Sequence, residues 1–161
     1  PKYEEHAGLV ERTTKVADEL ASEALRLAES DERAFQAVID AYRLPSDTEG
    51  LRAAKTSAIQ AALVQAAQTP AQLIKLAGEV VDLAAGLADV ANPNVISDVA
   101  AAADAARAAA TTARVNIDIN VVAIKDQSAR SLLKEQTAGI EEKVVAAADA
   151  LVGRVRERIL Q

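Results

Sequence analysis

Almost every residue between Val99 and Ala113 is alanine. Such a segment combines high helix propensity with very little side-chain bulk, so it forms a helix that its neighbours approach at short range. The rest of the chain follows the same pattern: half of its 161 residues are hydrophobic, yet only two Tyr and one Phe are aromatic. The core must therefore be built from Ala, Val, Leu and Ile, and the abundant Ala, Leu, Glu, Arg and Gln all rank high as helix formers. An all-α fold is expected, and this length suits a single domain covering residues 1–161.

A formal net charge of −6 lacks the clustered Lys and Arg that a phosphate backbone requires, so no nucleic-acid partner is expected. The absence of Cys excludes thiol catalysis and disulfides, and a single histidine, His6, argues against the common zinc sites. No run approaches the ~20 apolar residues of a membrane span, and no basic-then-apolar leader precedes Tyr3. The expectation is a cytoplasmic protein without a membrane partner, whose chemistry falls to carboxylates, amides, hydroxyls, Lys, Arg or Tyr.

Helical spacing of Leu9, Val16, Leu20 and Leu27 predicts a first helix, and a second is expected from about Asp31 to Arg43. In the second, Asp31, Phe35, Val38 and Tyr42 share one face. Leu44-Pro45 breaks the pattern. Ser46-Asp47-Thr48-Glu49 then supplies a capping box for a third helix. Its seam runs through Ile59, Leu63, Ala66, Pro70, Leu73, Ala77, Val80, Ala84 and Leu87, so Pro70 should kink this helix rather than end it. Asn92-Pro93-Asn94 reads as a turn, with Asn94 the cap of the alanine-rich helix. A last helix, from about Ser128 to Leu160, points Leu133, Ile140, Val144, Ala147, Leu151 and Val155 inward. The expected architecture is an up-and-down bundle of four or five long helices, one kinked at Pro70.

The alanine-rich helix carries Asp104, Arg107, Thr111, Arg114, Asp118 and Lys125 on one row, which should face water. Asp98, Asn116 and Asn120 fall roughly opposite and are expected to point inward. A buried carboxyl or amide costs about 1–3 kcal/mol unless partnered, so these groups need a structural or a functional reason. Desolvation of Asp98 or Asp31 would raise its proton affinity toward that of a general base or acid working near neutral pH. The structural alternatives are equally concrete. Asp98 satisfies the first turn of its helix, Asn116 and Asn120 form an amide pair that fixes register, Asp31 caps the second helix, and Tyr42 packs. Asp98 and Asn116 are also eighteen residues apart. On a straight helix that separation is about 27 Å, too far for one small pocket without a bend or a second subunit.

Four blocks of the sequence, in this order and spacing, carry a family resemblance. They are Asp31-x-x-Ala34-Phe35 running on to Ala41-Tyr42-Arg43-Leu44-Pro45; Thr69-Pro70; Asn92-Pro93-Asn94-x-x-Ser97-Asp98; and Asn116-Ile117-Asp118-Ile119-Asn120 followed by Lys125-Asp126. From Lys2-Tyr3 to about Asp126 the chain resembles the formimidoyltetrahydrofolate cyclodeaminase and methenyltetrahydrofolate cyclohydrolase family. The resemblance implies an all-helical, oligomeric folate enzyme, here a homodimer. Its reaction would be hydrolysis of 5,10-methenyltetrahydrofolate to 10-formyltetrahydrofolate, or deamination of 5-formiminotetrahydrofolate.

Both reactions add or eliminate at one amidine-like carbon, so a carboxylate to move protons and amides to hold the pterin suffice, with no metal or separate cofactor. Carried over to this chain, the resemblance makes Asp98 or Asp31 the catalytic carboxylate and Asn94, Asn116 and Asn120 the folate-binding amides. The chain departs from the family in three places. A Gly-rich segment that precedes the Tyr3 region in the family does not occur in residues 1–161. Ala91 stands where a glycine often precedes the position of Asn92, and Asp118 stands where arginine is frequent. The competing readings are a noncatalytic helical bundle that oligomerises, and a protein that binds folate without turnover.

Overall fold

Between Leu9 and Leu44 the sequence contains neither Gly nor Pro, and the computed structural model, which describes residues 4–161, shows the result. After a 3-10 turn at Glu4–His6, one unbroken helix, α1, runs Ala7–Arg43. The two helices expected here are therefore one, because Ser30-Asp31 lacks a breaker, and Asp31 sits mid-helix rather than at a cap. The helix ends where proline requires it, with Leu44 extended at φ −57° and ψ 143°. Lys2 and Tyr3, where the family resemblance starts, lie outside the described residues.

Helix α2 spans Glu49–Ala66 and α3 spans Gln68–Ala85. The capping residue of α2 is Thr48, whose hydroxyl accepts from the Leu51 amide at 3.3 Å. The expected cap, Ser46, instead offers its carbonyl to the Arg52 guanidinium at 3.2 Å. Between α2 and α3 only Ala67 interrupts, and it keeps right-handed dihedrals and donates to the Leu63 carbonyl at 3.2 Å. The regular α-helix is thus interrupted three residues before Pro70 and resumes at Gln68, as suits a proline lacking a donor. Leu63, Ala66, Pro70, Ala77 and Ala84 of the expected seam are buried, with Ile74 and Val81 deepest.

Asn92 Oδ1 accepts from the Asn94 amide at 3.0 Å and Asn92 O accepts from Val95 N at 2.9 Å, so the predicted turn is in place. Asn94 does not cap α4, which runs Ile96–Ala123 from a Val95 start without a side-chain cap. The end of α4 is held by Gln60, whose amide donates to Ala123 O and whose oxygen accepts from Lys125 N. Asp126 caps α5 (Gln127–Gln136) by accepting from Ser128 N at 2.8 Å and Ala129 N at 3.1 Å. The single last helix expected from the sequence is divided: Gly139, at φ +71°, separates α5 from α6, Ile140–Leu160. In α6, Val144, Ala148, Leu151 and Val155 are buried, so Ala147 gives way to Ala148.

Helix α3 is the centre of the bundle, with α1, α4 and α6 around it. Leu20 and Leu27 of α1 close on Leu76, Leu73 and Leu83. Gly78 lets α6 approach, since a Cβ there would stand 3.3 Å from Val144 Cγ2. From the last helix Arg154 pairs with Asp89 at 3.0 Å, and Arg158 donates to the Ala88 and Ala91 carbonyls. The up-and-down all-α bundle is as expected, and the described residues contain no strand.

The phase of α4 differs from expectation. Its buried stripe is Ile96, Val99, Ala103, Ala106, Ala110, Ala113, Ile117 and Val121. Asp98 and Asn116 are exposed and Asn120 is half-buried, so none of the three points into the core. Alanine carries little preference between core and surface, and the β-branched Ile96, Val99, Ile117 and Val121 set the phase instead. A core truncation should follow this map: Ile74→Ala, at a fully buried site, should cost about 2–5 kcal/mol, while Leu25→Ala, at a 69% exposed site, should stay within about 0.5 kcal/mol. Urea unfolding followed by circular dichroism measures both.

Candidate functional site

Because α1 and α4 both rest on the α2–α3 rod, they leave between them a groove whose floor is the α2–α3 junction. On the α1 wall the four-three-four spacing places Asp31, Phe35, Val38 and Tyr42 along one row, as the sequence predicts. On the α4 wall stand Thr112, Asn116, Ile119 and Asn120, and Leu63, Ala66, Thr69 and Pro70 form the floor. Two hollows of about 300 and 430 Å³ make up the groove, joined through Asp31, Pro70 and Asn116. Three of the four sequence blocks that carry the family resemblance, distant along the chain, meet in this one place.

The structure thus brings together Asp31, Asn116 and Asn120, and it separates them from Asp98 and Asn94. Asp98 occupies the first turn of α4, where a carboxylate complements the helix dipole. Since α4 is continuous, about 27 Å of helix lies between Asp98 and Asn116. Asn94 is exposed in the preceding turn. These two residues do not reach the groove of their own chain.

Asp31 is solvent-exposed, and the nearby arginines are engaged elsewhere on α1, Arg33 with Glu29 at 3.8 Å and Arg26 with Glu23 at 2.5 Å. The burial expected of Asp31 does not occur in the single chain. Asn116 donates its amide to Thr112 O at 3.3 Å and Asn120 donates to Asn116 O at 3.0 Å. Each asparagine spends one of its two amide N–H donors on its own helix, which leaves the other N–H and the oxygen for a ligand. Sequence reasoning assigned Tyr42 to packing, yet Tyr42 is 54% and Phe35 63% exposed. The Phe35 and Tyr42 rings both line this groove, and the scarcity of aromatics in the chain, used in the sequence only to argue an aliphatic core, could have drawn notice to them. Among the described residues no group of three or more His, Asp or Glu is placed to hold a metal. The larger hollow of about 690 Å³ is a charged strip along α1 alone, between Glu11 and Arg26.

The formiminotransferase-cyclodeaminase family model matches residues 1–139. A methenyltetrahydrofolate cyclohydrolase of Methylorubrum extorquens is 33% identical over 159 residues, covering 98% of this chain and 74% of the relative. The formimidoyltransferase-cyclodeaminase of Rattus norvegicus is 26% identical over 132 residues, 82% of this chain and 24% of that longer protein. The crystal structure of formiminotetrahydrofolate cyclodeaminase from Thermotoga maritima superposes with a TM-score of 0.75 at 28% identity, over 98% of this chain and 72% of that one. On the family match, the one-third identity over nearly the whole chain and the shared fold, this chain belongs to the formiminotransferase-cyclodeaminase family.

Proposed function

We propose that the chain is a folate one-carbon enzyme that hydrates 5,10-methenyltetrahydrofolate to 10-formyltetrahydrofolate, working as a cytoplasmic homodimer in the groove between α1 and α4. The observation that carries this reading is the lining of the groove: an unpaired carboxylate, two amide oxygens and both exposed rings of an aromatic-poor chain. A planar pterin stacks on Phe35 and Tyr42, and the Asn116 and Asn120 oxygens accept from its N–H edge.

Asp31 then takes a proton from water as the oxygen adds to the cationic methenyl carbon, and returns it to the ring nitrogen as the C–N bond opens, while the hydroxyl proton of the adduct leaves to solvent. The sum is the methenyl cation and one water giving 10-formyltetrahydrofolate and one released proton, with no electron transferred. Loss of ammonia from a formimino group uses the same carbon and the same proton carrier, so deamination is the second reaction to assay. The cyclohydrolase reading is placed first because the 33% identical relative bears that name. Asn94 and Asp98 take no part in this site within one chain.

Methenyltetrahydrofolate absorbs in the near ultraviolet, and its loss measures turnover directly. The parent protein should accelerate that loss, and Asp31→Asn should reduce the rate by about 10²- to 10⁴-fold, whereas Asp98→Asn should keep most of it. No acceleration by the parent in this assay or in an ammonia-release assay would leave only the noncatalytic readings.

Phe35→Ala should raise KM by about tenfold, the size of one lost aromatic stack, with a smaller change in kcat. Asn116→Leu should be neutral to heat denaturation, because its side chain is exposed, while it raises KM.

A further inference from the structure

Two polar side chains are buried among the described residues, Thr137 at 1% and Thr69 at 6% exposure. Thr137 is fully occupied: its hydroxyl donates to Leu133 O at 2.8 Å and accepts from the Arg114 guanidinium at 3.3 Å. No such bond ties the Thr69 hydroxyl. A helical threonine ordinarily turns its hydroxyl onto the carbonyl four residues back, as Thr56 does with Arg52 and Thr111 with Arg107. For Thr69 that carbonyl belongs to Gln65, and the interruption at Ala67 falls between the two.

A hydroxyl sealed in a core without a partner is strongly disfavoured. Among the described residues the sealed side-chain atom without a partner is Arg130 Nε and not Thr69 Oγ1, so the Thr69 hydroxyl meets open space. The space beside it is the smaller half of the groove, the hollow of about 300 Å³ that Asp31 and Asn116 also line.

The two halves of the groove differ in chemistry. Phe35 and Tyr42 stand in the larger half alone, whereas the smaller half has no aromatic side chain and sets Asp31 and Thr69 among Leu27, Leu73 and Ala113. A ring system stacked on the aromatics leaves the smaller half free, and water, at about 30 Å³ per molecule in the liquid, fits there several times over.

We infer that the smaller half is the water compartment of the reaction and that Thr69 holds the water that adds to the methenyl carbon, a role that rests on the folate reading. The water directs one hydrogen to the Asp31 carboxylate and donates the other to Thr69 Oγ1. With both hydrogens so held, its lone pair is turned toward the carbon bound in the other half. As the C–O bond forms, the first hydrogen passes to Asp31 as a proton, and Thr69 keeps its own. Thr69 is thus a positioning residue, which acts by orienting the water. It also divides the two reactions of the site, because hydration needs a placed water and loss of ammonia from a formimino group consumes none.

Thr69→Val replaces the hydroxyl by a methyl of the same shape, and Thr69→Ser keeps the oxygen. In the methenyltetrahydrofolate assay Thr69→Val should lower kcat by about tenfold, the size of one hydrogen bond, with KM unchanged. Thr69→Ser should recover most of that loss. Ammonia release by Thr69→Val should fall far less than hydration does. In heat denaturation followed by circular dichroism, Thr69→Val should unfold no lower than the parent, since no partner within the fold is lost.

Full hydration by Thr69→Val, or equal losses in the two reactions, would overturn the water-holding role. So would a Thr69→Val protein that unfolds below the parent, because its hydroxyl would then be bonded within the fold. A parent that releases ammonia without hydrating overturns the role of Thr69 and leaves the folate reading standing, whereas a parent inactive in both assays sinks the folate reading itself.

Discussion

Everything in this bundle depends on how closely α3 and α4 approach. Their contact is made largely of alanine: Ala77 and Ala84 on one helix and Ala88 just past its end, Ala103, Ala106, Ala110 and Ala113 on the other, none more than 7% exposed. Side chains this small bring helix axes to the short end of the 8–10 Å range, where many weak dispersion contacts replace a few large hydrophobic ones. The cost is that no large residue fills a gap. Larger side chains, Ile74, Ile96, Ile117 and Val81, are accordingly reserved for the layers that lock the contact, and all are below 3% exposure.

Placement of the groove follows from that contact. With α4 held tightly to α3, and α1 held to α3 through Leu20 and Leu27, the two outer helices flank the groove over the α2–α3 junction. The interruption there suits Pro70, which has no N–H to continue the ladder. A local property of one residue thus lies under the space in which Asp31 and Asn116, both solvent-exposed, come to face each other.

The parts of the fold that were legible in the sequence are those set by residues with a strong conformational opinion. Pro45 was read correctly as a stop, Pro70 as a break that the helical rod outlasts, and Asn92-Pro93-Asn94 as a turn. Where residues lack that opinion, the reading failed. Ser30-Asp31 was read as a helix start although no Gly or Pro interrupts residues 9–44, and Gly139 was passed over in a Thr-Ala-Gly run with no proline beside it. In α4 the alanines left the phase undetermined, so Asp98, Asn116 and Asn120 were taken to face the core when they do not. The distance argument within α4 was sounder, because helix rise does not depend on phase: it separated Asp98 from Asn116, and the structure keeps them separate. Phe35 and Tyr42 were placed on the correct row, but which side of that row was wet depended on α4, far away in sequence.

The missing donor at Pro70 has a further chemical result. In an unbroken helix the amide of residue 70 would take the carbonyl of Ala66, and proline cannot. Ala66 and Pro70 both line the groove. The ladder is therefore one bond short beneath the groove, under the Asp31 carboxylate and the amides of Asn116 and Asn120. Asp31 is the one charged side chain of the lining, so a carboxylate on a guest is repelled from the middle of the groove. An acidic tail on a ligand would have to leave through the open end of the groove, and the orientation of the guest is in this way decided by the host's oxygens.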